Sequence, residues 1–335
     1  MIARVLLLAL GIPMSALCGT EVTLLRIGTG GQEGTYFPIG SLIARALSGT
    51  EKCAGDENCG VPGLLAVAEI SNGSVSNVDA LSEGALEACL SQADVAYWAY
   101  NGSQMFADRG RRADLRAIAR LYPESVHLVS RRGSGVVSVA NLAGRRVSLD
   151  EPGSGTLVDA RMVLAAFGVS ESSLRPVYLK PQFAAEKLIK DQLDAFFFVG
   201  GYPAGAIASL ASTHGARLVP IDGAPAQLLI RENPFLTPGT IPGGTYAGIP
   251  ETPTLNVPAY LLVSARLPDE LVYRITRALW SARAHRILAR GHPKGRLIRR
   301  DRALLGLSIP LHPGAARYYR EVGLLPPAPA TEPAR

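Results

Sequence analysis

Aromatic residues make up only 6% of this 335-residue chain, and charged residues only 19%. No zinc-finger spacing and no interleaving of aromatic with basic residues is present, so a nucleic-acid surface is not expected. The formal charge of +6 gathers between Arg266 and Arg302, as in RAHRILARGHPKGRLIRRDR, and reads as a solvated helix face. Beyond the first twenty residues no run approaches the ~18 apolar residues of a membrane span. The strict G-x-G-x-x-G fingerprint fails, because Glu33 stands where the third glycine belongs after Gly28 and Gly30. Ser154 lies in PGSGT, not in a G-x-S-x-G nucleophile elbow. The histidines, His127, His214, His285, His292 and His312, all fall outside the loops that follow strands. A nicotinamide enzyme or a serine hydrolase therefore has little in the chain to build on. No internal repeat is visible.

Hydrophobic residues reach 47%, which excludes a disordered or fibrous chain and leaves apolar mass for two cores. MIARVLLLALGIPMSALCGT, with one Arg, an apolar run and small residues, reads as a secretory leader over residues 1–19. Of the four cysteines, Cys18 falls in that leader. Cys53 and Cys59 sit close together in a polar loop and are expected to pair in an exported protein. Cys89, in ALEACL, is expected to be a buried free thiol.

One pattern recurs along the rest. An apolar run breaks into Gly and small polar residues, and a helical pattern follows. LLRIGTGGQEGTYFPIGSLIARALSG, GRRVSLDEPGSGTLVDARMVLAAFG and LDAFFFVGGYPAGAIASLAS are the clearest cases. ADVAYWAYNG reads as a strand with a short helix after it, and LPDELVYRITRALWSARAHRILA as one long amphipathic helix. Thr156 with Asp159 resembles a capping box. Strands alternating with helices predict parallel α/β sheets, and near-continuous apolar strands such as AFFFVG predict cover on both faces. Residues 115–135 hold two apolar runs split by YPES, the second placed to carry the chain from one lobe to the other, and residues 255–268 are placed to carry it back. The expected limits are lobe 1 over 20–123, lobe 2 over 124–225, a return to lobe 1 over 226–325, and a Pro-rich disordered tail over 326–335.

In open α/β sheets ligands bind beyond the carboxyl ends of the strands. The loops there, GTGGQEGTY, SNGSVSN, YWAYN, DEPGSGT and VGGYP, are rich in Gly, Ser, Thr, Asn and Tyr and contain no Lys or Arg. Gly30, Gly31, Thr35 and Tyr36 open one helix. Ser71, Asn72, Ser74 and Asn77 open a second, and Ser154, Gly155 and Thr156 a third. Free N–H groups at such starts hold a carboxylate without a lysine. Gly200 and Gly201 permit close backbone approach. Tyr97, Trp98, Tyr100, Phe198 and Tyr202 offer apolar walls. A guanidinium clamp would have to come from elsewhere, such as Arg161 or Arg120. Glu33, Asp150 and Glu151 either receive a ligand amino group or only favour the following helix N-terminus.

RIGTGGQEGTYFPIGSLIARALS, SNGSVSNVDALSEG, QADVAYW, GRRVSLDEPGSGTLVDARMVLAAFG, LDAFFFVGGYPAGAI and IPGGTYAGIPETPTLNVPAYLLVS occur in that order. Together they resemble the TAXI family, the solute-binding subunits of a class of TRAP transporters, from about Leu24 to Leu325. The resemblance implies a two-lobed, class II periplasmic binding protein with two hinge strands. It implies a monomer that needs no cofactor, binds glutamate, 2-oxoglutarate or a similar small carboxylate or amino acid, and passes it to an ion-driven membrane permease. The matching loops carry the ligand-facing positions, Phe198 and Tyr97 among them, and no catalytic residue is implied. The alternative is an exported hydrolytic enzyme or a sensor built on the same cleft. A His or Cys converging on Ser154 would mark the enzyme.

Overall fold

Strand and helix alternate throughout the structure, a computed structural model that describes residues 22–49 and 59–327. The chain begins β1 (Thr23–Gly28), α1 (Tyr36–Leu47), β2 (Ser48–Gly49), β3 (Val61–Pro62), β4 (Leu64–Glu69), α2 (Ser74–Glu83), β5 (Ala88–Gln92) and α3 (Ala93–Asn101). It continues with β6 (Leu115–Arg131), β7 (Arg146–Ser148), α4 (Gly155–Ala166), β8 (Arg175–Val177), α5 (Pro181–Ile189), β9 (Ala195–Gly200), α6 (Gly205–Thr213) and β10 (Ala216–Leu218). It ends with α7 (Gly223–Glu232), β11 (Thr237–Ile241), β12 (Thr252–Ser264), α8 (Asp269–Leu279), α9 (Ala282–Gly291) and α10 (Pro313–Glu321). The leader over 1–19, Cys53 with its expected bridge to Cys59, and the tail from 328 lie outside the described residues. Cys89 is a buried free thiol.

The twelve strands form one mixed sheet in the order β3-β2-β4-β1-β5-β12-β6-β9-β7-β8, with β10 on β6 and β11 on β12. At one end β4, β1 and β5 run parallel, and at the other β9, β7 and β8 do so. The antiparallel pair β6 and β12 joins these two halves. Pairing along β6 shows the crossing: Leu115 to Arg120 lie opposite β12 where β12 flanks β5, and Ser125 to Ser130 lie opposite β9. At the crossover Pro123 is the partner of Pro258, and the register slips between Pro258 and Tyr260. Neither proline has an N–H to give to the ladder. The sheet is therefore least tied where one half passes into the other.

Helices cover both faces. One core packs beneath α1, α8 and α10 around Ile27, Ile39, Tyr122 and Tyr319. Another packs beneath α5 and α6 around Phe196, Phe198 and Ile207. A third spans both halves, from Val78 and Trp98 to Leu149, Leu157 and Phe197. Every residue of β9 is buried, as its unbroken apolar run predicts.

Two local expectations change. ADVAYWAYNG is not a strand: β5 stops at Gln92 and the segment is helical as α3, its buried Val95, Trp98 and Ala99 at three- and four-residue spacing. The long helix after Pro268 is two helices. α8 ends at Leu279, and Ser281 caps α9 by accepting from the Ala284 N–H at 3.1 Å. We expect Ser281→Ala to cost about 1 kcal/mol. A lower urea midpoint with an unchanged m-value would report it.

Candidate functional site

The strand-to-helix loops of the two halves meet over the β6–β12 crossing. The loop after β1 is fastened from below. Asn77 Nδ2 donates to the Thr29 and Leu90 carbonyls at 2.7 and 2.8 Å, and Ser71 Oγ donates to the Thr29 carbonyl at 2.9 Å. This loop leaves Thr35 at the start of α1. The Thr35 side chain does not cap its helix but donates to the Gly201 carbonyl of the other half at 2.8 Å. The Tyr36 hydroxyl donates to Glu124 Oε2 at 2.6 Å. Ser74, the first residue of α2, donates to Gln92 Oε1 at 3.2 Å.

From the other half, the loop after β7 turns through Asp150 and enters α4. Asp150 adopts a left-handed backbone, φ 72°, which Asp tolerates better than most residues. Ser154 is the cap of α4, accepting from the Leu157 N–H at 3.0 Å, so the expected box of Thr156 and Asp159 does not form. Thr156 Oγ1 instead accepts from the Val199 N–H at 3.0 Å and ties α4 to β9. The halves also touch directly. Ser76 N–H donates to the Gly153 carbonyl at 3.0 Å, Asn72 Nδ2 to the Pro152 carbonyl at 3.3 Å, and Gln92 Nε2 to Asp159 Oδ2 at 2.5 Å.

Between them lies a chamber of about 60 Å³, room for on the order of four to six waters. It adjoins a wider mouth of about 540 Å³ that shares Gly31 and Lys180 and is edged by Glu33, Gln182 and Glu186. Of the residues singled out from sequence, Gly30, Gly31, Thr35, Tyr36, Asn72, Ser74, Ser154, Gly155, Thr156 and Phe198 line the chamber, as do Asp150 and Glu151. Ser71 and Asn77 sit behind it, holding the loop after β1. Tyr97 is away from it, 38% exposed on α3 with its ring 6.0 Å from Phe235. Gly200 and Gly201 flank it: a side chain on Gly200 would strike the Phe198 ring, and one on Gly201 would meet Lys294 and Thr35. Arg161 pairs with Glu171 at 2.8 Å on the surface, and Arg120 lies in β6 with its Nε unpartnered, so neither reaches the chamber.

Gln92, Glu124 and Lys180 also line it, and the first two carry no loop signature. Lys180 precedes the proline that starts α5, a strand-to-helix junction of the kind that marks the other lining residues. It is paired with Glu151 at 3.2 Å. Glu124 is 1% exposed, at the crossing of β6 and β12. Burial pushes its carboxyl up to about 8, against the opposing pull of the Tyr36 hydroxyl. Burial likewise raises Asp150 to about 7. Lys294, on the turn Pro293–Leu297, is 2% exposed, and burial lowers its ammonium to about 8. That ammonium lies 3.3 Å from the Tyr202 ring centroid, a cation–π contact across the halves.

Ser154 Oγ is engaged at the head of α4. Burial lowers His127 to about 4. Its ring is fixed by the Ser125 carbonyl at 2.9 Å and the Tyr246 hydroxyl at 3.1 Å. No helix among the described residues is long and apolar enough to cross a membrane, and no cluster of metal-binding side chains occurs among them.

The model of the NMT1-like family matches residues 27–323. Among solved structures, the ligand-binding component of an ABC-type import system from Staphylococcus aureus, crystallised with zinc, is 10% identical. The match covers 91% of this chain and 94% of that one, with a TM-score of 0.50. A protein from Bordetella bronchiseptica RB50 is 16% identical over 90% of this chain and 83% of its own, TM-score 0.51. The alkanesulfonate-binding protein SsuA from Xanthomonas axonopodis pv. citri, bound to MOPS, is 17% identical over 92% and 96%, TM-score 0.48. The α/β fold, a mixed sheet flanked by helices, is thus shared with the ligand-binding component of that import system.

Proposed function

The chain belongs to the NMT1-like family, and on that premise we propose that it is the extracytoplasmic solute-binding subunit of a transporter. One observation carries the reading: strand-to-helix junctions from both halves converge on one chamber, with the start of α4 among its walls. Free N–H groups and the partial positive charge of that helix start suit a carboxylate. The lobes are residues 20–123 with 226–325, and 124–225. The solute is a small carboxylate or amino acid. Order along the chain and loop content favour the TAXI type, in which the closed monomer docks on an ion-driven permease of a TRAP transporter in the periplasm. Opening requires β6 and β12 to bend where Pro123 faces Pro258, a hinge motion of the microsecond-to-millisecond kind. A solute shifts that balance only by its greater affinity for the closed form.

Thermal-shift and calorimetric screening of amino acids and mono- and dicarboxylates tests this. We expect a saturable 1:1 ligand that stabilises the protein by about 2.7 kcal/mol at a hundred times Kd. Turnover of an ester or amide substrate, with no reversible ligand across the screen, would replace this reading with an enzyme.

A further inference from the structure

Resting on that reading, we infer that the chamber selects solutes carrying a protonated amine, with Glu124 and Asp150 as the groups that receive it. Both carboxyls line the chamber, one from β6 and one from the loop before α4, and both are more than nine-tenths buried. Glu124 Oε2 accepts from Tyr36, while no hydrogen bond to Oε1 occurs among the described residues. Asp150 Oδ1 accepts from the Glu151 N–H at 2.8 Å, and its other neighbours are the Ser154 and Thr156 hydroxyls.

Neither carboxylate forms an ion pair among the described residues. The cation on the chamber wall, Lys180, is matched by Glu151. Lys294 influences Glu124 from behind, but its ammonium rests over Tyr202 and it does not line the chamber. Asp94 on α3 and Tyr122 on β6 add no positive charge. No protein cation facing the solute is therefore free to balance either carboxyl, and burial holds a proton on them instead. Buried carboxylates without a counter-ion are costly, and a ligand ammonium removes that cost on binding. A solute that offers only carboxylates brings no cation to either.

The polar groups divide the chamber accordingly. The start of α4 takes a carboxylate, and the ammonium beside it on the same carbon is received by Asp150, next to that helix start, or by Glu124. The left-handed backbone at Asp150 fits such a role, since strained residues cluster at ligand clamps.

The test is calorimetry with the common amino acids and the 2-oxo acids that share their carbon skeletons, on wild type, Glu124→Gln and Asp150→Asn. An amino acid is expected to bind at least ~100-fold more tightly than its oxo partner, because the oxo acid leaves both carboxylates unpaired. At least one of the variants should weaken the amino acid at least ~10-fold and leave oxo-acid binding little changed. Glutamine at 124 can still accept from Tyr36, and circular dichroism of both variants checks that they fold. Preference for the oxo acid, or unchanged amino-acid affinity in both folded variants, overturns the inference and leaves the transport reading intact. Binding by neither set nor by any other carboxylate overturns both.

Discussion

Gly155→Ala is expected to leave a folded protein that no longer closes on its solute. Gly155 is the first residue of α4, in the second half of the molecule. A methyl group there would overlap Gln92 Oε1 and come within 2.8 Å of Ser74 Oγ, both from the first half. Gln92 cannot simply turn aside. Its Oε1 accepts from Ser74, its Nε2 donates to Asp159, and its own N–H donates to Ser74 Oγ at 3.1 Å. The clash exists only when the halves meet, so it acts on closure and spares each half. Overpacking of this kind costs about 1–3 kcal/mol. Paid by the closed form alone, it lowers affinity roughly 5- to 150-fold. Calorimetry should show that loss, and small-angle scattering a larger radius of gyration for the variant in saturating ligand. Adding Gln92→Ala vacates the space the methyl group needs and should recover part of the affinity. An affinity equal to wild type in Gly155→Ala would show that Gln92 and Ser74 do not hold the closed form together.

Why the chain reveals some of this and hides the rest follows from how each feature is encoded. The alternation of apolar runs with Gly-rich breaks is local, and it led directly to β1–α1, β7–α4 and β9–α6. The chamber residues on those junctions come with it, because a loop after a parallel strand is placed by topology at the carboxyl edge. Within such a loop, local sequence does not say which side chains face inward. Ser71, Asn72 and Asn77 look alike in SNGSVSN, yet Ser71 and Asn77 turn down to the Thr29 carbonyl and Asn72 faces the other half. Tyr97 moves out of reach because ADVAYWAYNG is helical, which turns it onto an exposed face.

Glu124 was out of sight for a different reason. YPES reads as a break between two apolar runs, a natural place for an exposed glutamate. Only the pairing of Pro123 with Pro258, far apart in the chain, makes one continuous strand of both runs and buries the carboxyl beneath the chamber. Lys294 is hidden in the same way within the basic stretch near the C-terminus. Its neighbours Arg290, Arg296, Arg299 and Arg300 stay near solvent, while it alone reaches under Tyr202. Buried charge depends on what a distant segment brings to it, and spacing along the chain carries no trace of that.

Thermal stability should fall as pH rises from 5 to 8, and Asp159→Asn should remove part of that fall. Asp94 on α3 and Asp159 on α4 come from different halves, and their buried carboxyls lie close enough to act on each other's titration. Asp94 Oδ2 and Asp159 Oδ1 have no hydrogen-bond partner among the described residues, and both residues are at most 2% exposed. Such nearness favours a proton on one of them. Burial raises both carboxyls, and Asp159 is raised further by the charge of Asp94, so the pair keeps a proton that exposed carboxyls would lose. The folded, closed form then binds a proton that the unfolded chain releases above the ordinary carboxylate range. Its share of stability is present at low pH and declines as pH rises through the folded pKa, by at most ~1.4 kcal/mol per pH unit for one proton. Glu124 and Asp150, also raised, act in the same direction, so the informative quantity is the difference between variant and wild type. An asparagine at 159 is uncharged beside Asp94 at any pH, and its oxygen still accepts from Gln92. The two proteins should melt at similar temperatures at pH 5, with the variant about 3–8 °C higher at pH 8. Since the pair spans the halves, the same proton also favours closure: ligand-free wild type should be more compact at pH 5 than at pH 8, and Asp159→Asn equally compact at both. Parallel melting curves for the two proteins across that range would mean that Asp94 and Asp159 share no proton.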